Sequence, residues 1–311
     1  MKPAVLLSSL VFLSVPLFSA CAGPDRSSEA GDLREVLSEL SGVSDVSLDY
    51  SKPVTLDSGK IALSVRMEED ASTKSVVEVV TTAYDAFSDA HQGEEGDLDI
   101  VLGDDVIHLR SFEAEADADD VAKAAAAAMS VLSSGAVKAY VNTQDVTRAP
   151  HVFTEYTLTV AESSVDAVLT MLADLEKAHG DLPDASWRVQ AGDEYGWLIG
   201  SDLGFPDSAQ VALFEKLAAG LAEGAVVRSY GIDFVTLSVP RGVTPDEVSA
   251  TVTRHLELLG DMEDLFYDVE SPEGISTMTE GDCYFDGGRI GARLELDHSG
   301  SCSHVTHSEA D

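Results

Sequence analysis

Basic side chains are scarce in this chain. Its 311 residues hold 19 lysines and arginines against 56 aspartates and glutamates, a formal net charge of -37 at pH 7. That imbalance excludes nucleic-acid binding through a basic face, which needs cations to neutralise phosphates and release counterions. An anionic membrane surface repels such a chain as well. Catalytic signatures are also missing. There is no HExxH pair, no GxSxG elbow, no P-loop and no GxGxxG after a strand, and no cofactor is expected. EF-hand spacing is absent despite the many acids, since Asp97-Leu98-Asp99 and Asp117-Ala118-Asp119-Asp120 lack the central glycine and the distal glutamate. Cysteine is limited to three residues. What the chain does have is apolar content: 44% of it is hydrophobic, too much for a disordered acidic polymer, so the charge coats something that folds. The length suits two domains of about 150 residues each.

At the N-terminus one base, Lys2, precedes an apolar run from Ala4 to Leu17 that is broken by serines and Pro16. This is the layout of an export signal, too short for a stable membrane span. The run leads into Leu17-Phe18-Ser19-Ala20-Cys21, which resembles the lipobox of bacterial lipoproteins, with Phe18 standing where Leu, Val or Ile is commonest. The resemblance covers this segment alone. It implies a diacylglyceryl thioether on Cys21 and cleavage just before it. Two or more acyl chains anchor stably where one does not, so this device holds an acidic protein at a surface that repels it. Residues 1–20 are expected to be the signal peptide, and residues 21–29 the lipidated cysteine and a tether.

The remainder is organised by an internal repeat: an amphipathic helix, a glycine just past its end, then two alternating strands. Val76, Val79, Val80, Ala83, Tyr84 and Phe87 follow helical spacing, as do Val165, Val168, Leu169, Leu172 and Leu175, and again Val248, Val252, Leu256 and Leu259. Further helices are expected over Glu29–Leu40, Asp117–Leu132 and Asp207–Leu221. Thr244-Pro245-Asp246-Glu247 combines an N-cap threonine, a first-turn proline and a capping-box glutamate, with Ser163 and Asp166 as a looser version. Strand-like alternation follows each helix, as in Val46-Leu48-Tyr50 with Ile61-Leu63-Val65-Met67. Helix starts fall about 45 residues apart, giving six αββ units. One unit alone cannot bury enough surface to be stable. Two in sequence, read from the second strand of the first, give βαββαβ, the ferredoxin-like sandwich.

The expected fold class is therefore α+β, with tandem αββ repeats forming two ferredoxin-like sandwiches plus a partial third unit. An N-terminal domain over residues 30–143 is followed by a linker at 144–151 and a C-terminal domain over 152–311. The sandwiches themselves span about 60–143 and 152–232. The partial third unit has its helix at 245–259 and strands near 234–239, 265–270 and 289–297. Periodicity does not say whether the units form separate sandwiches or share one sheet.

Candidate chemistry is thin. His91 and His179 stand at helix C-termini, where positive charge complements the helix dipole, so structural roles are expected. His108 alternates with Ile107 and Leu109 and is expected to face solvent. The acidic run Glu113–Asp120 leads into a helix N-terminus, which it stabilises. Trp187, Tyr195 and Trp197 share one parity with Val189 and Ile199 and are expected to form one core cluster. The C-terminal tail gathers Asp297, His298, Cys302, His304 and His307. His304-x-x-His307 with Cys302 and His298 is a donor set that zinc or copper accepts. An exported protein, however, meets an oxidising environment in which Cys302 has a partner in Cys283. A Cys283–Cys302 disulfide is the first expectation; a metal site at His298, Cys302, His304 and His307, or two free thiols, are the alternatives.

These readings converge on a lipid-anchored extracytoplasmic envelope protein, a non-catalytic binding, adaptor or structural module. Its expected partners are the membrane, through Cys21, and an envelope protein, with no nucleic acid. The alternative is an extracytoplasmic binding protein for a metal ion or a small cationic solute.

Overall fold

A computed structural model describes residues 23–54, 57–111, 117–136, 138–145, 152–182, 185–192, 195–260, 264–279 and 281–307. Cys21 and His151 lie outside the described residues. The first half of the chain runs α1 (Ser27–Ser38), β1 (Val43–Ser51), β2 (Lys60–Met67), α2 (Thr73–Ala90), β3 (Glu95–Leu102), β4 (Asp105–Ser111), α3 (Ala118–Leu132) and β5 (Lys138–Asp145). It continues with β6 (Val152–Val160), α4 (Val165–His179), β7 (Ala185–Ala191), β8 (Leu198–Ser201), α5 (Ser208–Ala218), β9 (Val226–Tyr230) and β10 (Phe234–Ser238). The last elements are α6 (Pro245–Leu259), β11 (Phe266–Ser271), β12 (Gly274–Thr279), β13 (Asp282–Phe285), α7 (Arg289–His298) and β14 (His304–His307).

Local sequence sets these boundaries. The side chains of Ser72, Asp117, Ser164, Asp207 and Thr244 each accept a backbone N–H from the first turn of the helix that follows. Thr244 and Glu247 close the expected capping box, with Pro245 in the first turn. Asp207 and Gln210 close a second one. At the start of α4 the cap is Ser164, one place after the expected Ser163. Gly260 ends α6 with φ 64°, in the left-handed region where a residue without Cβ is favoured.

The architecture is mixed helix and strand, and the fourteen strands among the described residues form one sheet in sequential order, β1 to β14. Hairpin partners β1/β2, β3/β4, β5/β6, β7/β8, β9/β10 and β11/β12 pair antiparallel. Strands joined through α2 to α6 pair parallel as direct neighbours, and α7 joins β13 to β14 in the same way. The repeat is thus present, but its assembly corrects the expected division into two sandwiches. A ferredoxin-like sandwich is a split βαβ arrangement, with another strand between the two that a helix connects; here those strands are adjacent. Each unit instead buries its apolar side against the next, as in a solenoid. The sheet also runs through the expected linker, because Asp145 of β5 pairs with Val152 of β6.

A second correction concerns the segment 289–297, expected as a strand and found as α7. Ile290, Gly291, Leu294 and His298 are its buried residues, a helical spacing, whereas Leu296, inward on a strand reading, is 73% exposed. All helices pack on one side of the sheet. Ile61, Leu63 and Val65 of β2, Leu98 and Ile100 of β3, Ile107 and Leu109 of β4 and their counterparts along the chain form one core with α1 to α7. Among the described residues the opposite face carries no helix, and it mixes charged and hydroxyl side chains with exposed aromatic rings. Among the described residues no helix is long and apolar enough to cross a membrane.

Candidate binding surface on the open sheet face

Alternation along each strand sends the residues between the core positions to the open face. Register then assembles them in rows. Six of the 19 basic residues fall here: Lys60, Arg66, Arg110, Lys138, Arg188 and Arg228. In a chain with so few cations this gathers about a third of them on one face, and several pair with carboxylates across strands. Lys60 Nζ meets Asp97 Oδ2 at 2.5 Å, with Arg110 on the other side of the same carboxylate. His108 faces this side, as its parity predicts, hydrogen-bonds Asp99 through Nδ1 and stacks on Tyr140 with centroids 6.1 Å apart. The Asp99 bond holds His108 above the ordinary histidine pKa.

Across β7 to β11 the same face forms a groove of about 350 Å³. Arg188 Nη2 meets Glu155 Oε2 at 3.0 Å, and its guanidinium lies 3.9 Å from the centroid of the Tyr230 ring. This close packing over the sheet depends on Gly200, where a Cβ would come within 2.8 Å of Arg188 Cγ and 2.9 Å of Tyr230 Cδ2. Arg228 pairs with Glu270 at 2.6 Å, and Glu270 also accepts the Ser238 hydroxyl at 2.8 Å. Phe234 and Phe266, register partners on parallel strands, stack with centroids 5.1 Å apart and planes 6° from parallel, yet stay 40% and 37% exposed. One register step along, Asp268 is half-buried and accepts the Thr277 hydroxyl at 2.5 Å. Burial raises its pKa above the ordinary carboxylate value. None of these groove residues stood out in the sequence. The available signal was Arg188 between Trp187 and Val189 and Arg228 after Val227, rare cations at open-face positions of buried strands.

The residues that did stand out are dispersed. Cys283 and Cys302 are joined, with the sulfurs 1.98 Å apart. Cys302 is thus not a thiolate ligand. His304 and His307 are three apart on a strand and face opposite sides: His304 pairs with Asp282 on the open face, and His307 Nδ1 turns to Glu295 of α7 at 3.7 Å. His298 is 91% buried on α7, its pKa lowered by burial. Among the described residues no three His, Cys, Asp or Glu side chains come together to hold a metal.

Of the remaining histidines, His91 follows α2 as its C-cap, and His179 ends α4 and stacks on Trp187. His91 is fully buried rather than exposed to the dipole, with Nδ1 2.6 Å from Glu94 Oε2, and Glu94 in turn accepts the Tyr50 hydroxyl at 2.9 Å. His255 is buried between three elements: Nε2 donates to the Leu217 carbonyl at 2.8 Å, and Nδ1 accepts the Tyr267 hydroxyl at 2.7 Å. The expected aromatic cluster is divided. Trp187 is core, and Trp197 packs its edge against Phe214 of α5, but Tyr195 is 59% exposed, with Arg228 5.9 Å from its ring centroid.

Comparison with protein families, curated proteins and solved structures gives no match to this chain.

Proposed function

We propose that the protein is a lipid-anchored extracytoplasmic component of the bacterial envelope, a non-catalytic binding or adaptor module that uses the helix-free face of its sheet as the contact surface. The observation that carries this reading is the groove of β7 to β11. It gathers arginines, carboxylates and exposed aromatic rings on a face that no helix covers, and its charged groups are preorganised by pairing across strands. Preformed pockets with a few fixed polar groups and an apolar lining are the usual form of small-ligand sites. The acidic coat suits export, and a lipid on Cys21 supplies the membrane attachment that the coat opposes.

The anchor is tested by fractionating cells that carry the wild-type chain or Cys21→Ser. The wild type is expected in the membrane fraction and in the detergent phase of a Triton X-114 partition, and accessible to protease on intact spheroplasts. Cys21→Ser is expected in the aqueous phase. Unchanged membrane retention of the variant, or protection of the wild type from external protease, would overturn the reading.

A further inference from the structure

We infer that the protein stands on the membrane by a fixed footing: the β1–β2 turn around Val54 and the α2–β3 loop around Gln92 lie against the phospholipid headgroup layer, brought there by an N-terminal segment docked on both. This footing rests on the reading of Cys21 as lipidated and names the surface that the lipid carries to the membrane.

Covalent reach comes first. Cys21 stands two residues before Gly23, and two residues of chain span at most about 7 Å. The headgroup region on each side of a bilayer is of similar depth, about 5–8 Å. An acyl-bearing Cys21 therefore brings Gly23, and whatever Gly23 packs on, against that layer.

The segment after Gly23 is not a loose tether, which would let any face approach the lipid. A Cβ on Gly23 would come within 3.0 Å of Pro53 Cβ, and Gly23, Pro24 and Arg26 border one cleft with Pro53, Val54, Gln92 and Gly93. Arg26 donates its backbone N–H to the Tyr50 hydroxyl at 3.0 Å and its Nη1 to the Gln92 carbonyl at 2.8 Å. The Tyr50 hydroxyl in turn donates to Glu94 at 2.9 Å, and Glu94 meets His91 Nδ1 at 2.6 Å, both of these side chains buried. The dock thus ends on a buried network that joins β1 to the end of α2. From Ser27 the chain is already α1, which sinks Ala30, Leu33 and Leu37 into the core.

The surface so presented suits an interface with lipid. Val54 is 52% exposed at the turn, and Lys52 beside it offers a long stem with a charged tip, the kind of side chain that reaches from an interface to water. Lys60 of β2 pairs with Glu95 of β3 in parallel register, so both strands start at this end. The β3–β4 turn at Gly103 and Asp104 lies at the other end, about 24 Å away along β3. The charge of -37 opposes wider contact with an anionic leaflet, so the footing stays as narrow as the anchor makes it.

The test uses the full-length lipoprotein, purified from membranes and reconstituted into phosphatidylcholine vesicles. With Cys21 acylated and Cys283 joined to Cys302, an introduced cysteine is the one free thiol. Val54→Cys, Gln92→Cys and Asp104→Cys, all at exposed loop positions, are each labelled with a nitrobenzoxadiazole fluorophore, and quenching by a phospholipid with a nitroxide on its headgroup is measured. At least twofold quenching is expected at positions 54 and 92, with none at 104. Inserting about ten Gly and Ser residues between Ala22 and Gly23 keeps the lipid but removes the short reach, and quenching at position 54 is expected to fall at least twofold. Equal quenching at all three positions, no quenching at 54 and 92 in protein that floats with the vesicles, or unchanged quenching after the insertion would overturn the footing. Wild-type protein that does not float with the vesicles would refute the lipid anchor itself, and the footing with it.

Discussion

Truncating Trp187 to alanine is expected to lower the free energy of unfolding by about 3–5 kcal/mol, the cost of removing a large, fully packed aromatic side chain from a core. Trp187 is 1% exposed. Its ring stacks against Phe205 at 4.2 Å, Tyr156 at 4.4 Å and His179 at 6.0 Å between centroids. Tyr156 comes from β6, His179 from α4, and Phe205 precedes α5, so one side chain joins consecutive units of the repeat. In a sheet held together by neighbour contacts, such a junction carries stability that local propensity does not supply. Denaturant unfolding followed by far-ultraviolet circular dichroism measures the loss, with Tyr195→Ala as the surface comparison, expected within about 0.5 kcal/mol of wild type. A loss below about 1 kcal/mol for Trp187→Ala would contradict the packing.

Acid is expected to destabilise the C-terminal units through His255. Burial pushes its folded-state pKa down to about 4, outweighing the Leu217 carbonyl, whose bond from Nε2 favours the charged ring, and the nearby Arg254 charge adds to the lowering. The unfolded ring titrates near the ordinary value of 6.5. Between these values the unfolded state binds the extra proton, so stability rises with pH. The contribution is complete above about pH 6.5 and is lost as pH falls toward 4, a change of roughly 3 kcal/mol. Other carboxylates and histidines titrate in the same window, so the readout is a difference. Unfolding free energies of wild type and His255→Gln at pH 7 and pH 4.5 should show a shallower acid loss in the variant. Equal slopes would mean that His255 is not held neutral.

The sequence carried more of the local structure than of its assembly. Thr244, Pro245 and Glu247 announce α6 because capping chemistry lies within four residues, and the structure follows it. Ile290 and Leu294 fit both periods, since spacing of four satisfies a helix and a strand alike; the outward position of Leu296 decides for the helix, and that is a tertiary fact. Parity placed Trp187 inside and His108 outside correctly, but it failed for Tyr195, which precedes β8 and so lies beyond the stretch where strict alternation holds. Strand order is a further step removed. Sandwich and continuous sheet share every helix and strand signal and differ only in which edges meet. The groove depends on that order: Glu155, Arg188, Arg228 and Asp268 share one region of the open face because β6 to β11 lie side by side in sequence order. By contrast His304 and His307 lay close in sequence and were separated by the two-residue period of a strand.

The claim that the open face is where this protein meets its ligand is tested most directly by hydroxyl-radical footprinting in intact envelopes against the purified protein. Tyr230 and the exposed rings of Phe234 and Phe266 report on the open face, while Leu258 of α6 and Leu296 of α7, 36% and 73% exposed, report on the helix layer. Lower oxidation of Tyr230, Phe234 and Phe266 in the envelope, with Leu258 and Leu296 unchanged, is the predicted result. Equal oxidation of the three rings in both settings, or protection confined to the helix layer, would contradict it.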